Sequence, residues 1–130
     1  MTTSFAIIGC GRVGTALARH LSNAGYQPAG FASRTRESAL NAAKAAGAED
    51  AVYDEVGAAA AKADVVLITT SDQAIAATCQ SIAEIAGFKQ NAAVLHCSGA
   101  LSSNILSPAR QCGAAIGSMH PLQSFAATAE

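Results

Sequence analysis

At about 100–200 residues per domain, the 130 residues make one domain, which buries roughly two thirds of its unfolded surface and needs neither disulfides nor a structural metal. Eight basic and nine acidic residues leave a net charge of −1, without the positive footprint of a protein that neutralises phosphates along a nucleic acid. No apolar run near the start is long enough for a signal-peptide core or a bilayer span, so nucleic acid and membrane are not expected as partners and a cytoplasmic location is.

Alanine supplies 32 residues, whereas Leu, Ile, Val and Phe together supply 26, so the core has to be built from small side chains at close approach. The four cysteines, Cys10, Cys79, Cys97 and Cys112, contain no C-x-x-C pair and are expected as free thiols.

In chain order, strand-length apolar runs alternate with alanine-rich stretches of helical length, the rhythm of a parallel sheet with crossover helices. Ser4–Ile8 is the first strand. Arg12–Ala24 is a helix, since Val13, Leu17 and Leu21 recur at i, i+4 and i+8 and Gly25 supplies a left-handed stop. Gln27–Ala32 is the second strand, and the helix Arg36–Ala46 follows, capped by Thr35 and ended by Gly47. A third strand is predicted at Ala48–Val52 and a short helix at Val56–Ala63. Val65–Thr69 is the fourth strand. Asp72 is expected to cap a helix reaching about Ala86, with Ile75, Cys79 and Ile82 inward. Ala92–His96 and Ala114–Met119 are the fifth and sixth strands; the crossover between them contains Pro108 and should be short or kinked.

The first strand and first helix are joined by Gly9-Cys10-Gly11-Arg12-Val13-Gly14, a G-x-G-x-x-G turn in the context that gives it meaning. Gly9 permits the tight turn, Gly11 lets a pyrophosphate approach the backbone, and Gly14 brings helix and strand together, with the helix N-terminus facing the anion. The fold class is therefore α/β: a doubly wound Rossmann fold, a mostly parallel sheet of about six strands with helices on both faces. Cys10, Arg12 and Val13 fill the variable positions of the dinucleotide turn.

About 20 residues further on, an NAD site carries an acid for the ribose hydroxyls. Here the position reads Ser33-Arg34-Thr35-Arg36, with no acid before Glu37. Ser33 and Thr35 can donate hydrogen bonds and Arg34 can form a fork to a 2′-phosphate, so the expected cofactor is NADP. The same missing acid weakens a rival reading as an S-adenosylmethionine-dependent methyltransferase.

Ligands of open parallel sheets bind beyond the carboxyl ends of the strands. Polar residues gather there: Thr69-Thr70-Ser71 after the fourth strand, His96-Cys97-Ser98-Gly99 after the fifth, His120-Pro121-Leu122-Gln123 after the sixth. All three loops are expected to line one cleft with the glycine turn. No metal site is expected from His96, Cys97, Cys112 and His120, because adjacent residues of a strand cannot both point into one tetrahedral site.

His96-Cys97-Ser98-Gly99-Ala100 and His120-Pro121-Leu122-Gln123-Ser124-Phe125 resemble the corresponding segments of Rossmann-like, DUF2520-containing oxidoreductases, within the wider 6-phosphogluconate dehydrogenase-like group that includes pyrroline-5-carboxylate reductases. The resemblance covers essentially the whole chain. It implies a helical C-terminal domain that closes the active site and makes a homodimer, so residues 1–130 are expected to be an excised cofactor domain, inactive alone. A more distant resemblance to prephenate dehydrogenases implies that Ser98 positions a small-molecule substrate and that His120 exchanges a proton with the reacting oxygen, a task suited to histidine. His96 is a further catalytic candidate. Two functions remain open: an NADP-dependent oxidoreductase acting on a small carbonyl, imine or hydroxy compound, and a noncatalytic NADP-binding regulator or sensor.

Overall fold

The computed structural model describes residues 2–85 and 87–119. β1 (Ser4–Ile8), β2 (Gln27–Ala32), β3 (Val65–Ile68), β4 (Ala93–His96) and β5 (Ala115–Ser118) form one all-parallel sheet in the order β2-β1-β3-β4-β5. The central strands read as continuous apolar runs because both faces are covered. Phe5, Ile7 and Leu67 point to a layer made by α1 (Arg12–Asn23) and α2 (Arg36–Ala45), packing with Leu17, Phe31 and Ala42. Ala6, Ile8, Val66, Ile68 and Val94 point the other way, against α3 (Val56–Ala60), α4 (Asp72–Glu84) and α5 (Ser107–Gln111). Alanine carries the close approach: Ala39, Ala42, Ala43, Ala59 and Ala60 are all buried, and a methyl group at Gly30 of β2 would meet the Ala59 carbonyl of α3 at 2.5 Å. Among the described residues no helix is long and apolar enough to cross a membrane.

The strand predicted at Ala48–Val52 is absent. After α2 the chain makes a left-handed turn at Gly47 (φ +68), and the Ala48 N–H donates back to Ala43 O at 2.8 Å. Ala51 N–H then bonds Ala48 O, closing a 3₁₀ turn over Glu49–Ala51. Only Val52 is left extended, bridging Phe31 in the parallel sense. The bridge puts this remnant beside β2, where a third strand would complete a dinucleotide-binding sheet.

One smaller expectation also changes. Ser71, not Asp72, occupies the N-cap of α4, without a capping side-chain bond, while Asp72 opens the helix, where its charge favours the positive helix end. The Pro108 crossover is short, as expected: a 3₁₀ turn, Ser103–Leu106, leads into α5 with Pro108 in the first turn, where no N–H is required.

Register decides where the site lies. Ala32, Ile8, Ile68, His96 and Ser118 stand side by side across the five strands. The residues that follow them leave the sheet along one carboxyl edge, and strand order reverses between β1 and β3.

Candidate functional site

At that reversal lies a cleft of about 480 Å³. Its walls are the turn after β1 (Gly9, Cys10, Gly11), the loop after β2 (Ser33, Arg34, Thr35) and the loop after β3 (Thr69, Thr70, Ser71). Ser38 of α2, Val56 of α3 and Ala74 and Thr78 of α4 also line it.

The three glycines of the turn differ in what surrounds them. Gly9 has φ +92, and a Cβ there would lie 2.7 Å from the backbone N of Thr70. A Cβ at Gly14 would lie 2.6 Å from Gly9 O and 2.9 Å from Ile7 Cγ2, so α1 and β1 pack too closely for any side chain. Gly11, the N-cap of α1, would meet nothing within 4 Å. The fold therefore requires glycine at positions 9 and 14 but not at 11, where the missing side chain opens the helix N-terminus to the cleft. No side chain caps that terminus and no acid sits in its first turn, leaving N–H groups and a partial positive charge for an anion.

Hydrogen bonds hold the walls together. Cys10 N–H donates to Ser33 Oγ at 2.9 Å, tying the glycine turn to the end of β2. Thr69 Oγ1–H donates to Gly9 O, and Thr69 N–H to Ile8 O at 2.8 Å, tying the turn to β3. Thr35 caps α2: its Oγ1 accepts from Ser38 N–H at 3.1 Å and donates to Ser38 Oγ at 2.9 Å. The Thr35 proton is thus spent within the chain, and the donor that remains belongs to Ser38. Ser33 and Ser38 share one condition: each oxygen already accepts a protein hydrogen bond, which leaves each hydroxyl proton to give to an acceptor in the cleft.

Among the described residues no carboxylate lines the cleft. Of the two neighbouring arginines, Arg36 pairs with Asp54 at 2.8 Å. Arg34 is exposed at the cleft wall and makes no ion pair among the described residues.

The other sequence candidates fall elsewhere. Arg12 is exposed in an adjoining groove between α1 and α2, with Arg19 and Asn41, while Val13 packs on the α1–α2 core. The Cys10 side chain is buried beneath the turn, and burial pushes its thiol up to about 12, so it is a packing group. His96, the last residue of β4, and Ser98, in the connection that follows, are buried and do not line the cleft, contrary to the expectation of one cleft shared by all the loops. Both nitrogens of His96 are engaged by backbone groups, Nδ1 by Ser98 N–H and Nε2 by Ser102 O, so neither is available to a substrate. Ser98 Oγ accepts from Ala100 N–H at 3.2 Å. His120 lies outside the described residues.

Sequence reasoning missed Ser38, Val56, Ala74 and Thr78. A signal for two of them exists: Ile75, Cys79 and Ile82 make the inward stripe of α4, so Ala74 and Thr78, one position earlier, share a face turned toward the carboxyl edge.

Solved structures with this architecture include a protein from Bacteroides fragilis assigned as an NADP oxidoreductase, 29% identical over 80% of this chain with a TM-score of 0.70. An imine reductase variant from Myxococcus stipitatus, solved with NAD+, is 22% identical over 88% of this chain with a TM-score of 0.70. A pyrroline-5-carboxylate reductase from Coxiella burnetii is 16% identical over 82%, with a TM-score of 0.69. At these identities the last two show the fold alone. The chain spans 39% of the length of each of the three. No curated protein sequence matches it. With the five-stranded sheet, the glycine turn at the strand reversal and a Rossmann-like domain model matching residues 2–121, the chain belongs to the Rossmann-like domain family, and its structural neighbours are NAD(P)-dependent oxidoreductases.

Proposed function

We propose that residues 1–130 are the NADP(H)-binding domain of an oxidoreductase of the DUF2520-containing type, transferring hydride to or from a small carbonyl, imine or hydroxy substrate. The observation that carries the reading is the contrast within the glycine turn: Gly9 and Gly14 are wedged by protein atoms, while Gly11 faces open space at an uncapped helix N-terminus. A ligand can use the space that this glycine leaves open, and a pyrophosphate is the ligand such a terminus suits.

The choice of NADP over NAD rests on the wall after β2. Ser33 and Ser38 are left as donors, and among the described residues Arg34 is unpaired and no acid lines the cleft. A 2′-phosphate only accepts hydrogen bonds and carries negative charge, which this wall satisfies. With a dinucleotide bound in the cleft, its nicotinamide would supply the hydride chemistry, and the protein orientation and electrostatics.

The proton donor or acceptor in this proposal is His120, and Ser98 acts on the substrate side through its loop. The second wall of the active site, and with it a homodimer, would come from polypeptide beyond residue 130. One observation favours the alternative of a noncatalytic NADP sensor: the polar atoms of His96 and the Oγ of Ser98 are already bonded within the chain.

Calorimetric titration with NADPH and NADH tests the cofactor. NADPH should bind more tightly, and Arg34→Ala should remove most of the preference, a loss of about ten- to hundredfold for a charge-assisted contact. Equal affinity for the two cofactors in the unmodified chain overturns the NADP assignment. Slow NADPH oxidation by a longer form of the protein over a panel of keto acids and imines separates enzyme from sensor.

A further inference from the structure

At the end of β4 lies a side-chain cluster that the cleft does not use. His96 is fully buried, and both ring nitrogens bond the loop that follows it. Ser98 N–H lies 3.0 Å from Nδ1. A backbone N–H can only donate, so Nδ1 is the unprotonated nitrogen and Nε2 carries the ring proton. Nε2–H then donates to Ser102 O at 3.0 Å. Two further bonds complete the loop: Ser98 Oγ accepts from Ala100 N–H at 3.2 Å, and Ser102 Oγ accepts from Asn104 N–H at 2.9 Å, opening the 3₁₀ turn. One imidazole thus holds both ends of the segment between Cys97 and Leu101.

The place of that segment matters. His96 stands opposite Ile68 in the β3–β4 pairing. The loop therefore starts immediately beside Thr69, whose neighbours Thr70 and Ser71 make the far wall of the cleft. Gly99 and Ala100 are exposed at the carboxyl edge, above a buried base. A dinucleotide whose pyrophosphate occupies the glycine turn is extended across the strand reversal, and its second half passes over the ends of the strands beyond β3. A surface met there must be rigid to hold a planar ring in one pose, and rigidity is what the doubly bonded imidazole provides.

We infer that His96 is a positioning residue: through Ser98 and Ser102 it fixes the Cys97–Leu101 loop as a ledge for the nicotinamide half of the bound dinucleotide, and it takes no proton itself. The inference rests on the dinucleotide reading above.

The chain is titrated by calorimetry with NADPH and with 2′-phospho-ADP-ribose, which carries the same phosphates and adenine but no nicotinamide. The unmodified chain should bind NADPH about five- to tenfold more tightly, the scale of one ring contact. In His96→Ala that advantage should vanish while affinity for 2′-phospho-ADP-ribose stays unchanged. His96→Gln, which keeps a donor for Ser102 O, should retain part of it. Nitrogen NMR should find the His96 proton on Nε2 alone. An advantage that persists in His96→Ala, no advantage in the unmodified chain, or a proton on Nδ1 overturns the ledge. If the unmodified chain does not bind 2′-phospho-ADP-ribose at all, the dinucleotide reading fails instead. Should His96→Ala lose its circular dichroism, the Gln variant and the tautomer decide the question.

Discussion

Ser33 Oγ stands 2.9 Å from the backbone nitrogen of Cys10, joining the end of β2 to the glycine turn across 23 residues of sequence. With one lone pair of that oxygen taken by the Cys10 N–H, the hydroxyl still has its proton to offer an acceptor in the cleft. One side chain thereby sets both the shape of the turn and the polarity of the wall. Ser33→Ala should remove both: the Cys10 N–H loses its partner, costing about 1 kcal/mol of stability, and NADPH affinity should fall roughly tenfold. Chemical denaturation and calorimetry on the same variant read the two effects separately.

The glycine turn predicts opposite outcomes for two similar substitutions. Gly11→Ala adds a methyl group to open space, so the fold should survive with a loss of no more than about 1 kcal/mol for a poorer N-cap, while NADPH binding falls sharply. Gly14→Ala drives a methyl group into Gly9 O and Ile7 and should cost about 2–3 kcal/mol or more, because backbone cannot move aside as a side-chain tip can. Thermal melts that rank Gly11→Ala as the more damaging change would contradict the packing described.

At the opposite edge of the sheet, Asp64 accepts from Lys89 Nζ at 2.8 Å and from both the backbone N and Oγ of Ser4 at 3.1 Å, while its own N–H donates to Ser4 Oγ at 2.9 Å. The Lys89 bond, then the two Ser4 bonds, lower its pKa from 3.8 to about 2. A carboxyl with a depressed folded-state pKa contributes stability above its unfolded value and loses it as the pH falls toward the folded one. Melting temperature should therefore decline between about pH 4 and pH 2, and Asp64→Asn should lower it at neutral pH while flattening that decline. A variant with the unmodified acid profile would show that the clasp contributes nothing.

Cys10 lines the cleft in sequence terms yet should be chemically silent. Burial pushes its thiol to about 12 and that of Cys97 to about 11, so both remain protonated at pH 8. Mass spectrometry after brief alkylation at that pH should find both unmodified in the folded chain and fully labelled once it is denatured. Rapid labelling of Cys10 in the folded chain would mean that the turn opens.

Local chemistry made much of this legible. The apolar run Ser4–Ile8, the glycines after it and the absence of an acid before Glu37 are each readable within a few residues, and the structure places the residues around them in one cleft. Ala48–Val52 misled because its composition suits a strand, while the backbone bonds that follow Gly47 had already committed Ala48 and Ala51 to turns. His96 misled for another reason. A histidine at a strand end beside Cys97-Ser98-Gly99 has the look of chemistry, and only the chain's return through Ser102 to cover it reveals where its nitrogens are spent. Val56 and Ser38 reach the cleft through the packing of α3 and α2 on the sheet, a long-range outcome that no local pattern records.

The common finishing row of the strands, from Ala32 to Ser118, has a consequence for how such a molecule can diverge. The Asp64 clasp lies at the amino end, while the glycine turn, the serine donors and the His96 loop all lie at the carboxyl end, separated by the length of the strands. Losses at one end are not felt as losses at the other, because sites this far apart without shared partners add independently. A lineage can therefore rewrite its carboxyl-edge loops for new ligands while drawing on an untouched reserve of stability, and the amino-end contacts should drift only under pressures of temperature or acidity.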